Sequence, residues 1–247
     1  MAHADIYLSV IIPTYNEAER IPKTLRRVHE YLAGNSFSYE ILAVLDGPTD
    51  STRDVLRRMS HEIQNLKILD RSVNRGKGYT VKEGMLQASG RIRLFSDADN
   101  STDIAHFDRM KPLFDEGYDI VIASRSSRDA PEAVQAVPQA WYKRFIGRLG
   151  NLIVQLLAVR GVWDTQCGFK AFGSEVAEKI FSQTTVERWG FDIEVLALAR
   201  ALKYKIGIIP ARWINDDRSH VRSSDYLRVL RDTLTVRRNL VGRKYEL

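Results

Sequence analysis

The sequence predicts an α/β protein built on a mostly parallel sheet covered on both faces by helices. Three observations predict it. Short runs rich in Ile, Leu and Val recur through the first 125 residues, stretches with apolar residues at helical spacing separate them, and the runs themselves are apolar almost without interruption. A strand with one face in water alternates apolar and polar side chains, whereas a strand of a parallel sheet is covered on both faces and reads as a continuous apolar run.

The elements follow in order. Ile6–Ile12, Tyr39–Leu45, Leu66–Leu69, Ile92–Phe95 and Asp119–Ala123 read as strands, with helices at Glu17–Leu32, Ser51–Met59 and Gly78–Ala88 between them. Ser126–Pro138 carries two prolines and mixed charge and reads as a loop. Residues 139–159 read as helical, opening aromatic and basic (Trp141, Tyr142, Lys143, Arg144, Phe145) and continuing apolar. A further helix is expected at Phe191–Leu202 and a short strand at Ile206–Pro210. In the tail, 221–247, helical spacing places Tyr226, Leu227, Leu230, Leu234 and Val241 on or near one face, with arginines over the remainder.

Composition excludes several classes. A chain of 247 residues with 44% hydrophobic and 28% charged residues is neither collagen-like, disordered nor a mini-protein. One cysteine, Cys167, allows no intrachain disulfide and no zinc-cysteine cluster. Ile6–Ile12 is too short for a signal peptide or a spanning helix, and the 11 residues of Leu149–Val159 fall short of the roughly 20 that cross a bilayer. A net charge of +6 suits anionic partners: nucleotides, phospholipid surfaces or nucleic acid. Nucleic acid is the least expected of these, because no reader motif is present and acidic strand ends repel a phosphate backbone unless a metal intervenes.

In parallel α/β sheets ligands gather at the carboxyl ends of strands, and there the chemistry-bearing residues fall. Asp97-Ala98-Asp99 closes an apolar strand. Two carboxylates at i and i+2 can converge on Mg²⁺ or Mn²⁺, which take one or two carboxylates and complete their shell with phosphate and water; the same tripeptide also fits a solvated acidic turn. Asp46 ends the second strand, where it could accept hydrogen bonds from a ribose or base, and Asp50 is placed to cap the next helix. Asn74-Arg75-Gly76-Lys77-Gly78 offers two glycines and two cations as a phosphate cradle, without Walker or G-x-G-x-x-G spacing.

In combination, Pro13-Thr14-Tyr15-Asn16-Glu17, Asp46-Gly47, Asn74–Gly78 and Asp97-Ala98-Asp99 resemble the family 2 inverting glycosyltransferases of the GT-A fold. Ser124-Arg125-Ser126, Asp164-Thr165-Gln166-Cys167-Gly168-Phe169-Lys170, Arg188-Trp189-Gly190-Phe191-Asp192-Ile193-Glu194, and Trp213 followed by Ser219 resemble the dolichyl-phosphate β-glucosyltransferase group. The resemblance runs from about Leu8 to Arg238. It implies a GT-A catalytic domain over 1–220, with a nucleotide-sugar half to about 125 and an acceptor half beyond it, followed by the basic tail. It implies transfer of a hexose, glucose from a UDP-sugar being favoured, to a polyprenyl or dolichyl phosphate with inversion. Carried over residue by residue, Pro13, Tyr15, Glu17, Asp46, Lys77, Asp97 and Ala98 would hold the nucleotide sugar. Asp97 and Asp99 would hold Mg²⁺ or Mn²⁺, and Arg125, Arg144 and Lys170 would meet the acceptor phosphate or the departing diphosphate. Asp192 and Glu194 are candidates for a base, with positioning or structural roles favoured for both.

The sequence departs from the group's pattern at Leu45, where relatives carry a further aspartate, at Pro48, and at Ser101. GDP-mannose, UDP-GalNAc, a soluble or protein acceptor, and a non-catalytic nucleotide-sugar-binding role therefore stay open at this point. The expected location is the cytoplasm, attached peripherally to the cytoplasmic face of a membrane through Trp141–Val159 and the tail; the alternative is that both apolar faces pack on the sheet.

Overall fold

A computed structural model of the chain describes residues 6–135, 150–213 and 223–247. Its first half is a run of strand–helix units: β1 (Leu8–Thr14), α1 (Ile21–Ala33), β2 (Tyr39–Leu45), α2 (Thr52–Glu62), β3 (Leu66–Leu69), α3 (Lys77–Gln87), β4 (Ile92–Ser96), α4 (Phe107–Asp115) and β5 (Ile120–Ser124). The second half holds β6 (Val134–Gln135), a helix α5 over residues 150–157, β7 (Phe169–Gly173), α6 (Ser174–Phe181), α7 (Phe191–Ala201), β8 (Ile206–Pro210), β9 (Arg212–Trp213) and α8 (Ser223–Val241).

Seven strands form one sheet in the order β3-β2-β1-β4-β7-β5-β8. Every neighbouring pair is parallel except β4–β7 and β7–β5. The chain leaves β1 toward β2 and β3 on one side and returns to β4 on the other, so the strand order reverses between β1 and β4. Such a reversal opens a crevice at the carboxyl ends of the two strands. β6 and β9 pair as a separate two-stranded ribbon.

The sheet is covered on both faces, as the continuous apolar runs predict. On one side Val10, Ile12, Ala43 and Leu94 pack with Leu25, Val28, Leu56 and Phe107 from α1, α2 and α4. On the other, Ile11, Val44, Phe95 and Phe172 pack with Val81, Ile180, Leu196 and Val236 from α3, α6, α7 and α8. The strand and helix expectations over the first 125 residues agree with these elements to within a few residues. α1 begins at Ile21 rather than Glu17, because Glu17–Arg20 form a turn and Pro22 sits in the first helical positions, where its missing N–H costs nothing.

α4, β7 and α6 have no counterpart in the periodicity reading. Phe169-Lys170-Ala171-Phe172 buries all four side chains, lysine included, and lies antiparallel in the centre of the sheet. A buried lysine breaks the apolar run, which is why the pattern hides the strand. The basic tail is built into the molecule: α8 places Val236 in the core, and beyond its end Tyr245 is buried and donates its hydroxyl to Glu194 Oε1 at 2.7 Å.

Candidate active site

Asp97-Ala98-Asp99 lies just past the carboxyl end of β4, beside the crevice. Three contacts fix this turn, from the segment that leads into β7, from α1 and from within the turn itself. The Asp97 N–H donates to the Gly168 carbonyl at 3.2 Å, continuing the β4–β7 ladder by one residue. The Thr24 hydroxyl of α1 donates to the Ala98 carbonyl at 2.6 Å, and the Ser101 N–H donates to Asp99 Oδ1 at 2.9 Å. Asn100 takes the left-handed conformation that turns the chain away, which asparagine tolerates better than most residues. The Lys77 ammonium at the start of α3 reaches Asp97 Oδ1 at 2.5 Å, with the Trp189 ring 5.5 Å from the same nitrogen.

A second group of charges lies against the first. The Arg125 guanidinium, just past β5, forks onto Asp164 with both bonds at 2.7 Å, and its backbone N–H adds a third at 2.8 Å. Asp164 is held in turn by its N–H on Asp129 Oδ2 at 2.8 Å. Lys170 has no exposed surface; its ammonium donates to the Cys167 carbonyl at 2.6 Å and to Asp192 in the first turn of α7.

These side chains feel one another. Burial pushes the Asp99 carboxyl up, and Asp97 adds to it, against the opposing pull of Ser101 and Lys77. Burial also raises Asp192 in spite of Lys170 and Lys77. Burial would lower the Lys77 ammonium, but Asp97, Asp192 and Asp99 together hold it above its ordinary value. Burial favours neutral Asp164, yet Arg125 wins and holds that carboxyl below the usual range. Among the described residues four carboxylates, Asp97, Asp99, Asp164 and Asp192, thus face three cations, Lys77, Arg125 and Lys170. The excess negative charge sits on the exposed side, at Asp97 and Asp99. Two hard oxygen donors that share a single lysine at a strand end fit a divalent cation whose remaining ligands come from a diphosphate. Among the described residues no group of three or more His, Cys, Asp or Glu could hold a metal alone.

The expected nucleotide-binding residues line the neighbouring strand ends. Pro13 is half-buried near the end of β1, and Tyr15, just beyond it, is 38% exposed. Asn16 ties this segment to the next loop by accepting the Thr49 N–H at 2.8 Å. The Glu17 carboxylate is buried and takes two bonds from Arg20, at 2.6 and 2.7 Å. Asp46 is buried as well; it accepts the N–H groups of Arg75 at 2.8 Å and Gly76 at 2.9 Å, together with the Arg71 guanidinium. Asp46 therefore shapes the Asn74–Gly78 loop and presents Lys77 to Asp97. The N-cap of α2 is Ser51 rather than the expected Asp50, which, one residue earlier, accepts the N–H of Thr52, the first residue of the helix, at 3.0 Å.

Glu194 is buried in α7 and bonds Thr185, Val186 and Tyr245, a structural role that leaves no oxygen directed at the crevice. Arg144, Trp141 and Ser219 lie outside the described residues. Sequence reasoning did not single out Thr24, Arg71 and Asp129, which act by holding others, nor Asp164 and Asp192 as partners of Arg125 and Lys170. The motif Asp164–Lys170 does contain both ends of this network, so its signal was the density of polar residues in a segment that the structure buries.

Fold and strand-end diacid together define a GT-A glycosyltransferase. Residues 9–181 match glycosyl transferase family 2, and the chain belongs to that family. It is 38% identical to a dolichyl-phosphate beta-glucosyltransferase of Drosophila melanogaster, over 86% of this chain and 68% of that protein. Those of Dictyostelium discoideum and Homo sapiens are 34% and 32% identical, over 96% and 95% of this chain and 76% of each relative. Among solved structures, mannosyl-3-phosphoglycerate synthase from Rubrobacter xylanophilus superposes with a TM-score of 0.68 at 14% identity, over 98% of this chain and 76% of that one. Glucosyl-3-phosphoglycerate synthase from Mycobacterium tuberculosis, in complex with Mn²⁺, UDP and glucosyl-3-phosphoglycerate, gives 0.61 at 18% identity, over 96% and 80%. At those identities the structural likeness establishes the fold alone. No helix among the described residues is long and apolar enough to cross a membrane.

Proposed function

We propose that this glycosyltransferase moves glucose from UDP-glucose to a polyprenyl phosphate of the dolichyl type, with inversion, on a site that uses Mg²⁺ or Mn²⁺ at Asp97 and Asp99. The observation that carries the proposal is the excess of carboxylate at the Asp97–Asp99 turn, rigidly held by Thr24, Gly168 and Ser101 and flanked by Lys77 and Arg125. The names of the relatives supply the sugar and the lipid. The UDP and Mn²⁺ held by a structural neighbour of the same fold agree with the donor and the metal.

In this reading Pro13, Tyr15, Glu17 and Asp46 build the wall that receives base and ribose, Tyr15 by direct contact and the two carboxylates by setting their loops. The bound cation would neutralise the charge that grows on the departing diphosphate. Lys77 lies against Asp97 and adds a fixed positive charge on the same side, and such preorganised charge is worth most in a site closed to water. Arg125, oriented by Asp164 and 26% exposed, turns its remaining surface to the acceptor phosphate. Arg144 is assigned the same task from the sequence alone. Lys170 is fully buried and positions Asp192 instead of meeting solvent-borne phosphate directly.

A dedicated base is unnecessary. A phosphate monoester has a second pKa near 6, so at neutral pH its oxygen is already an anionic nucleophile. That oxygen attacks the anomeric carbon from the face opposite the diphosphate; the new C–O bond forms as the bond to the diphosphate breaks, and the sugar inverts to the β anomer. A lipid acceptor would place the reaction at the surface of a membrane.

The test is cation binding. Titration of Mn²⁺ should show tight binding only with UDP present, and Asp97→Asn/Asp99→Asn should lose it while keeping the wild-type thermal midpoint. Mn²⁺ binding by the double variant equal to wild type would remove the metal from Asp97 and Asp99.

A further inference from the structure

A cavity of about 340 Å³ opens between the loop that precedes α7 and the side of α8, lined by Arg188, Arg228, Arg231 and Asp232. The volume lies in the range of small-molecule sites. Among the described residues, three of the four that line it carry guanidinium groups. Asp232, the carboxylate among those four, accepts the Gly190 N–H from the wall of the cavity, and burial raises it. Guanidinium forks recognise phosphate oxygens in pairs, and a cluster of them in one concavity is the chemistry of a phosphate site. The residue after Arg188 is Trp189, whose ring lies beside Lys77, so the cavity adjoins the candidate active site without sharing its carboxylates.

The outward face of α8 continues from this cavity. Leu227, Leu234 and Val241, seven residues apart, are 73%, 54% and 67% exposed. Arg231 and Arg238, each four residues beyond a leucine, share that face, while Thr233, Val236 and Asn239 are buried on the opposite one. Leucines interleaved with arginines along one helix face match a surface that is apolar within and anionic at its boundary. Arg231 belongs both to this face and to the cavity.

We propose that the Arg188–Arg228–Arg231 cavity binds the headgroup phosphate of an anionic phospholipid, with Leu227, Leu234 and Val241 bedded in the same membrane leaflet. The proposal deepens the lipid-acceptor reading and rests on it for its purpose: a bound headgroup beside Trp189 turns the crevice toward the layer that carries the acceptor.

The experiment uses the full chain, in flotation with phosphatidylcholine vesicles and with the same vesicles containing phosphatidylglycerol. Wild type should float only with the anionic lipid. A basic side chain that merely lies near the surface contributes about a fivefold change in partitioning, and Arg237→Gln, exposed on α8 outside the cavity, should show that and no more. Arg231→Gln removes the same charge and should lose more than about tenfold, because it also removes bidentate bonds, and Arg231→Lys should recover only part. Leu234→Ser should weaken partitioning without altering the preference for anionic lipid. Thermal midpoints equal to wild type establish that the variants fold. Equal losses in Arg231→Gln and Arg237→Gln would overturn the cavity, as would failure of wild type to float. So would a loss in Arg231→Gln confined to binding of a short polyprenyl phosphate without vesicles, which would give the cavity to the acceptor. Turnover on that short soluble acceptor reports separately: if it persists while flotation fails, the membrane site falls and the reaction stands; if flotation succeeds without turnover, the reverse holds.

Discussion

Asp97 rests on the bare α-carbon of Gly168: a β-carbon there would lie 1.9 Å from Asp97 Oδ2 and 2.6 Å from Oδ1. The two residues face each other one step beyond the paired ends of β4 and β7, so the antiparallel strand at the centre of the sheet sets where the first carboxylate of the diacid stands.

Gly168→Ala should therefore displace the Asp97 carboxylate while leaving the backbone ladder in place. Misplacement of a catalytic group by about an ångström costs on the order of a hundredfold in rate. The expected result is a fall in kcat of about that size with a small change in thermal midpoint. Unchanged kcat would mean that the position of Asp97 is not critical.

The Lys170–Asp192 pair predicts a stability result. Both side chains are buried, so Asp192→Asn leaves a buried ammonium without its counter-ion, and breaking such pairs costs about 3–5 kcal/mol. Denaturant unfolding should show a loss in that range, and Lys170→Met/Asp192→Leu, which removes both charges, should regain most of it. A single variant as stable as wild type would show that the pair does not hold α7 to β7.

Cys167 is 1% exposed, and burial, with Asp164 adding to it, pushes its thiol up to about 11. The native protein should leave this single thiol unreacted by a disulfide reagent at pH 8, and denaturant should expose one equivalent. Rapid reaction of the native protein would indicate that the Asp164–Lys170 segment opens.

Asp103 connects α1 to the segment after the diacid. The hydrogen-bonded Arg27 guanidinium, at 2.7 and 2.8 Å, holds its carboxyl below the usual range against burial. A carboxyl depressed in the folded state binds its proton more readily when unfolded, so its contribution to stability is complete above the ordinary aspartate value of about 4 and disappears as pH falls through the depressed one. Arg27→Ala should be less stable than wild type at pH 7, and the gap should close toward pH 2. A gap independent of pH would assign the effect of Arg27 to packing.

The fold was legible in the sequence wherever side chains did one thing only. Val10–Ile12 and Ile41–Leu45 are apolar because both faces of their strands are covered, and α1 shows its period in Ile21, Leu25, Val28 and Leu32. The central strand β7 was not legible, because Lys170 is both a strand residue and half of a buried ion pair. The diacid was visible as a strand-end motif. Its supports were not: Thr24 lies 74 residues before Ala98, and Gly168 meets Asp97 only after two strands pair, contacts that no local period encodes. Asp46 carries the same lesson. Its place at the end of β2 pointed to a ligand, and the structure shows both its oxygens engaged with the loop that delivers Lys77.

The most direct measurement is release of UDP from UDP-glucose by the purified chain with Mn²⁺, with and without a short polyprenyl phosphate, in wild type and Asp99→Ala. The expected result is release that depends on the lipid phosphate, a β-linked glucosyl phosphate as product, and loss of turnover in Asp99→Ala or with chelator. Release indifferent to the lipid phosphate, or full turnover in the presence of chelator, would contradict it.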